Sequence, residues 1–178
     1  MSQTSSSSTP AISLNIAVMT VSDTRTEEDD KSGDFLIRKL TESGHKLAEK
    51  CIVTDNRYKI REVVSRWIAD DDIHAVITTG GTGLTGRDIT PEAIQPLFDK
   101  TIDGFGEIFR MLSYESIKTS TIQSRAFAGL ANATAIFCLP GSTGACKDGW
   151  EGIIKHQLNV QHTPCNLVGI MPRFKEAE

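Results

Sequence analysis

The sequence predicts an α/β fold: an open, mostly parallel sheet with helices on both faces, which makes three layers, α/β/α. Apolar segments of strand length alternate with segments of helical periodicity through the first half of the chain. This β-α-β-α-β order is typical of parallel sheets. The segment 73–79 is also almost unbroken in apolar character, as expected of a central strand covered on both sides.

The first half provides four elements before that strand, each delimited by polar or glycine-containing segments. They are a strand over 12–21, a helix over 32–42, a strand over 46–53 and a helix over 56–69. The last of these has apolar residues at helical spacing, which predicts a face turned to the core: Ile60, Val63, Val64, Trp67 and Ile68.

The second half is predicted to be helical over 90–98, 104–114, 120–126 and 146–158. Two strands, 127–130 and 134–139, flank Ala131 and Asn132, which predicts a tight hairpin at a sheet edge. Residues 1–11 are too rich in serine to pack and are expected to be a disordered extension. We expect one domain over 12–160 and a polar tail over 161–178.

The chain has 178 residues, 39% of them hydrophobic and 24% charged, with a net charge of -4. These values fit one globular domain, and they predict neither a nucleic-acid partner nor a membrane segment. The four cysteines form no C-x-x-C pair and no signal peptide is recognisable, so we expect a reduced, cytoplasmic protein. The four histidines are scattered, which disfavours a zinc site.

A glycine-rich loop follows the third strand, and its composition predicts an anion site. Gly80, Gly81 and Gly83 allow bends that would bring several backbone N–H groups together. Thr90 is the expected N-cap of the next helix, with Pro91 at its first position, so the positive end of that helix would face the loop.

Ligands of open α/β sheets bind beyond the carboxyl ends of the strands. The predicted strands place four loops at that rim, at residues 22–25, 54–56, 80–88 and 140–144. Asp55 and Asp88 lie in two of them. Mg²⁺ usually takes one or two protein carboxylates together with phosphates and water, so this pair suits it. The alternative is that both aspartates only cap helices.

Other interpretations have less support. Residues 81–86 satisfy G-x-G-x-x-G, but the helix start comes after the motif, and the motif follows the third strand, unlike a dinucleotide fingerprint. No P-loop motif is present, and Ser22 and Ser113 lack a nucleophile context. A glycine turn without ligand stays open. The acidic run 27–30 is expected to be solvated.

Several motifs together resemble the molybdopterin-binding family of molybdenum-cofactor biosynthesis, the MoaB and MogA proteins. The resemblance covers roughly residues 12–160 and is strongest in the stretches 79–83 and 87–92. It includes Thr20-Val21-Ser22-Asp23, Ser32-Gly33, Gly104-Phe105-Gly106-Glu107, Ser124-Arg125 and Leu139-Pro140-Gly141. The stretches 56–61 and 109–113 look most like the MoaB branch.

This resemblance implies the molybdopterin-binding (MogA-like) fold, assembly into homotrimers or homohexamers, and work alongside other proteins of the pathway. It also implies adenylylation of molybdopterin, with ATP as co-substrate and Mg²⁺ as cofactor. Asp55 and Asp88 would be the catalytic, metal-holding acids. The implied pocket residues are Thr79, Gly80, Gly81, Thr82, Gly83, Ser113, Ser124, Pro140, Gly141 and Ser142.

One departure keeps an alternative open. After Asp55 this chain has Asn56, Arg57 and Tyr58, where MogA proteins more often carry another acid. A partner or carrier that binds molybdopterin without consuming ATP therefore remains the competing hypothesis.

Overall fold

The computed structural model describes residues 9–176 and contains one six-stranded sheet in the order β2-β1-β3-β6-β5-β4. The strands are β1 Asn15–Val21, β2 Lys46–Val53, β3 Ala75–Thr79, β4 Lys100–Thr101, β5 Phe127–Ala131 and β6 Thr134–Leu139. The first four in spatial order are parallel, and β5 and β4 are antiparallel to their neighbours. The predicted α/β class with a mostly parallel sheet is confirmed.

Helices cover both faces of this sheet. They are α1 Lys31–Glu42, α2 Arg57–Ile68, α3 Thr90–Ile94, α4 Asp103–Ile117, α5 Thr143–Gly149 and α6 Lys155–Gln157, with a π-helical turn at Trp150–Ile154 between the last two. Short 3-10 turns lie at Gln95–Leu97, Lys118–Gln123 and Val168–Arg173.

Alternate residues of β1 point into two separate hydrophobic cores, as the period of a strand requires. Ile16 and Val18 belong to one core, which includes residues of α1, α4 and α5. Ala17 and Met19 belong to the other, with residues of α2 and α3. The predicted apolar stripe of α2 faces this second core, where Trp67 is fully buried.

Five elements differ in extent or type from the sequence-based expectation. β1 starts at Asn15 rather than residue 12, and α4 extends to Ile117. The predicted helix 90–98 turns into a 3-10 turn at Gln95-Pro96, since proline has no N–H to continue an α-helix. The segment predicted as helix 120–126 is a 3-10 turn that stops at Gln123. The last helix begins at Thr143, where Ser142 caps it.

The predicted hairpin exists, with Asn132 and Ala133 in the left-handed region at φ 45° and 69°. Its placement at the sheet edge was wrong, because β4 adds one more strand outside β5. Two residues are too short for a periodic signal in the sequence, so β4 could not be predicted.

Most of the predicted extension, 1–11, lies outside the described residues; Thr9 to Ala11 are exposed, and the carbonyl of Thr9 accepts a hydrogen bond from Gln161. In the segment expected to be a polar tail, Val168 is buried against the core. Within residues 9–176, no helix has both the length and the apolar character needed to cross a bilayer.

Candidate functional site

A cavity of about 460 Å³ opens at the carboxyl ends of β1, β3 and β6. The structure brings all twelve sequence-predicted site residues to its wall. They are Asp55, Thr79, Gly80, Gly81, Thr82, Gly83, Asp88, Ser113, Ser124, Pro140, Gly141 and Ser142. The predicted rim is therefore one continuous site, because parallel strands deliver their following loops to the same edge.

The glycines at the start of the loop are required by the backbone. Gly80 has φ +107°, and a Cβ atom there would lie 2.2 Å from the carbonyl oxygen of Val21. Gly81 has φ +65°, and its Cβ would lie 2.3 Å from the Thr90 hydroxyl. At both positions the positive φ disfavours any residue other than glycine, and a Cβ atom would also clash with a neighbouring atom.

Thr90 does not cap α3 with its side chain, which corrects the sequence-based prediction. The N-cap is Ile89, without a side-chain hydrogen bond, and Thr90 is itself helical. Its buried hydroxyl instead donates to the carbonyl of Gly80 over 2.9 Å, while its N–H donates to the carbonyl of Gly81 over 2.9 Å. Thr90 thus ties the helix to the loop.

Several backbone donors at the cavity wall have no acceptor within residues 9–176. They are the N–H groups of Gly81 and Thr82 in one loop and of Gly141 and Ser142 in the other. Gly81 is half-buried and Thr82 is buried, whereas Gly141 and Ser142 are exposed. Because buried N–H groups are normally paired, the open donors of Gly81 and Thr82 in a concave wall favour an anionic ligand.

Asp55 follows β2 and is half-buried at the wall, with one carboxylate oxygen 3.1 Å from the Cβ position of Gly81. Its backbone N–H donates to Asp23 over 3.1 Å. Burial, followed by the negative charges of Asp23 and Asp88, raises the pKa of Asp55, while Arg87 opposes this shift. A nearby cation would relieve the repulsion.

Asp88 faces the same loop from the other side. Its Oδ2 accepts hydrogen bonds from the backbone N–H and the hydroxyl of Thr85, at 2.8 and 2.6 Å. Burial opposes ionisation, but these bonds, the Gly83 N–H and the charge of Arg125 outweigh it and lower the pKa of Asp88. Oδ2 of Asp88 therefore stabilises the loop to which Asp88 itself belongs.

The loop after β6 is fixed by the predicted site residues Thr79 and Ser142 and by Ser32, which was not among the predicted site residues. Ser32 donates to the carbonyl of Gly141 over 2.9 Å, and Thr79 donates to the carbonyl of Pro140 over 2.9 Å. The Ser142 side chain caps α5 by accepting from the Ala145 N–H. These bonds leave the N-terminus of the α5 helix open to the cavity.

Asp30 contradicts the expectation that the acidic run 27–30 is solvated. It is 1% exposed, caps α1 by accepting from the Gly33 N–H, and accepts the Thr20 hydroxyl over 2.8 Å. Lys50 lies 3.5 Å away and balances its charge. The other three acids of the run are exposed as predicted. A capping position three residues before Gly33 is the signal that could have identified Asp30.

The remaining wall comes from α4 and the turn after it. Ser113 is buried, and Ser124 lies at the end of the 3-10 turn. Phe109 and Ile117 add apolar surface between these serines. The cavity therefore combines polar loops on one side with a partly apolar wall on the other, which suits a flat, phosphorylated ligand.

Residues 9–176 contain no group of three or more histidine, cysteine, aspartate or glutamate side chains arranged to hold a metal ion. A Mg²⁺ ion that takes most of its ligands from phosphates and water needs only one or two protein carboxylates, which Asp55 and Asp88 can provide.

Residues 17–160 match the family model described as a probable molybdopterin binding domain. The chain is 56% identical over 160 residues to the molybdenum cofactor biosynthesis protein B of Escherichia coli K12, covering 90% of this chain and 94% of that protein. It is 52% identical over 142 residues to the protein of the same name from Bacillus subtilis 168, covering 79% and 84%.

Solved structures agree in fold. A crystal structure of a molybdenum cofactor biosynthesis protein B has a TM-score of 0.81 at 42% identity, covering 84% of this chain and 94% of that one. The tungsten cofactor synthesizing protein MoaB from Pyrococcus furiosus has a TM-score of 0.78 at 36% identity, covering 92% and 98%. The chain belongs to the molybdopterin-binding domain family, among the molybdenum cofactor biosynthesis proteins of the MoaB type.

Proposed function

We propose that this protein acts in molybdenum-cofactor biosynthesis by binding molybdopterin and adenylylating its phosphate with Mg-ATP. The observation that carries the proposal is the meeting of two loops with open N–H donors and two aspartates around one cavity. Unpaired N–H donors can bind phosphate oxygens, and the aspartates can bind the divalent cation that accompanies a nucleoside triphosphate.

The reaction needs little from the protein beyond positioning. A phosphate monoester has a second pKa of about 6, so it is largely a dianion at neutral pH and needs no general base. Its oxygen attacks the α-phosphorus of ATP, the bond from that phosphorus to the bridging oxygen breaks, and pyrophosphate leaves. The absence of a histidine from the cavity wall is compatible with this chemistry.

The protein groups have separate tasks in this scheme. The N–H groups of Gly81 and Thr82 would hold phosphate oxygens in line, while Asp55 and Asp88 would hold Mg²⁺. When bound, Mg²⁺ neutralises charge on the phosphate oxygens and on the departing pyrophosphate. Phe109 and Ile117 would contact the flat pterin.

A second candidate is a molybdopterin carrier that consumes no ATP. Two observations favour it: one oxygen of Asp88 is occupied by Thr85, and the residue after Asp55 is Asn56, whose side chain caps α2. Both reduce the number of carboxylate oxygens available to a metal.

Purified protein should be incubated anaerobically with molybdopterin, Mg²⁺ and ATP while pyrophosphate is measured. Pyrophosphate together with an adenylylated pterin, made by the wild type and not by Asp88→Asn, supports the transferase. Tight molybdopterin binding without pyrophosphate supports the carrier. Failure to bind molybdopterin rejects both.

The same sample without Mg²⁺ provides the cofactor test. Turnover that survives complete removal of divalent cations by a chelator would contradict the role assigned to the two aspartates.

A further inference from the structure

The second half of the glycine-rich loop is held from outside the cavity by the side chain of Arg125. Its Nε donates to the carbonyl of Gly83 over 2.8 Å, and its Nη2 donates to the carbonyl of Asp88 over 2.7 Å. Its backbone N–H donates to the carbonyl of Thr82 over 3.2 Å. Its third guanidinium nitrogen pairs with Glu92 in α3.

These bonds connect both ends of the segment 83–88 to one rigid, planar group. A guanidinium presents its donors in a fixed fork, so two carbonyls bound to it cannot move independently. Arg125 does not line the cavity, whereas Gly83 and Asp88 do. It acts on the site only through the backbone that it holds.

The direction of the carbonyls determines the direction of the amides. In a trans peptide the C=O and the following N–H point to opposite sides. With the carbonyls of Thr82 and Gly83 turned to Arg125, the N–H groups of Gly83 and Leu84 are turned away from it. The N–H of Gly83 accordingly reaches the Asp88 carboxylate.

We infer that Arg125 is the positioning residue of the second half of the glycine-rich loop: its fork geometry, rather than its positive charge, fixes the backbone of residues 83–88 and so keeps the Asp88 carboxylate at the wall of the anion site. The inference rests on the proposed function for the identity of the ligand. We call the hydrogen bonds from Arg125 to the carbonyls of Thr82, Gly83 and Asp88 the clamp. The clamp can be tested without any ligand.

Three variants separate geometry from charge. Arg125→Gln removes the charge and most of the fork, and Arg125→Lys keeps the charge but has no fork. Arg61→Gln is the matched control, because Arg61 also donates to two backbone carbonyls, of Glu92 and Ala93, away from the loop.

The first measurement is ¹⁵N relaxation of the unliganded proteins. We expect the order parameters of residues 82–88 to fall in both Arg125 variants and to stay unchanged in Arg61→Gln. Unchanged order parameters in Arg125→Gln would overturn the clamp, whatever the protein binds.

The second measurement is the dissociation constant for molybdopterin. We expect an increase of about tenfold or more in both Arg125 variants, because a loosened loop must be ordered by the ligand. Added guanidinium ion should partly restore binding to Arg125→Gln. Wild-type affinity in Arg125→Lys would show that charge alone matters and would overturn the inference. A wild type that does not bind molybdopterin would reject the proposed function, while the relaxation data would still decide the clamp.

Discussion

Asp88 accepts two hydrogen bonds from Thr85 on a single carboxylate oxygen, one from its N–H at 2.8 Å and one from its hydroxyl at 2.6 Å. This pairing closes the second half of the glycine-rich loop. The same residue is therefore both a support of the loop and a candidate ligand of the metal, and substitutions at it must separate the two roles.

Asp88→Asn is expected to keep the fold and lose turnover. The amide oxygen of asparagine can accept both bonds from Thr85, so the fold should persist. The melting temperature should fall moderately near neutral pH, because the lowered pKa of Asp88 means that its ionised form stabilises the folded state. The lost negative charge should lower the rate of pyrophosphate release by about 10²-fold or more, as for other charge-stabilising groups. An unchanged rate at saturating ATP would refute the catalytic role of Asp88.

Asp55→Asn is expected to stabilise the protein near neutral pH. The pKa of Asp55 is raised above its ordinary value of 3.8 by burial and by Asp23. The folded state then binds a proton more tightly than the unfolded state. The free energy of unfolding therefore falls as the pH rises from the unfolded-state pKa of Asp55 through its higher folded-state pKa. Asparagine removes that cost.

Thermal unfolding at several pH values tests whether Asp55→Asn raises or lowers the stability of the protein. The melting temperature of Asp55→Asn should exceed that of the wild type near neutral pH. This difference in melting temperature should disappear at pH values well below 3.8, where the carboxyl group of the wild type is protonated in both states. Asp71→Asn is the control of opposite sign, since Lys175 lowers the pKa of Asp71. A lower melting temperature for Asp55→Asn near neutral pH would contradict the prediction.

Gly81→Ala and Gly86→Ala compare two positions of one loop. The first forces a Cβ at φ +65° to within 2.3 Å of the Thr90 hydroxyl, whereas the second meets nothing within 4 Å. We expect Gly81→Ala to lower the free energy of unfolding by about 1–3 kcal/mol and to abolish molybdopterin binding. Gly86→Ala should leave both unchanged. Equal effects of the two in urea unfolding and binding would show that the bend at Gly81 is not required.

Thr90→Val tests the bond between α3 and the loop. Valine has the shape of threonine but leaves the Gly80 carbonyl without its donor. The free energy of unfolding should fall by about 1 kcal/mol or more, because the buried oxygen loses its partner. Thr90→Ser keeps the hydroxyl and should be closer to the wild type. Chemical denaturation of the three proteins decides between a hydrogen bond and simple packing.

Local patterns in the sequence were sufficient to predict most of the fold. Helical spacing identified α2, the apolar run identified β3, and the two glycine-containing loops identified the rim of the cavity. These predictions succeeded because each depends on neighbours a few residues apart. β4 was missed because two residues carry no period, and the hairpin was misplaced at the sheet edge for the same reason.

The sequence by itself determined the class of fold, the loops that line the cavity and the aspartates within them. The tertiary structure alone decided that Asp30 is buried, that Thr90 binds the Gly80 carbonyl instead of capping α3, and that Arg125 holds Gly83, which is 42 residues away. The physical reason is that such bonds join segments which only sheet formation brings together, so no local pattern of residues specifies them.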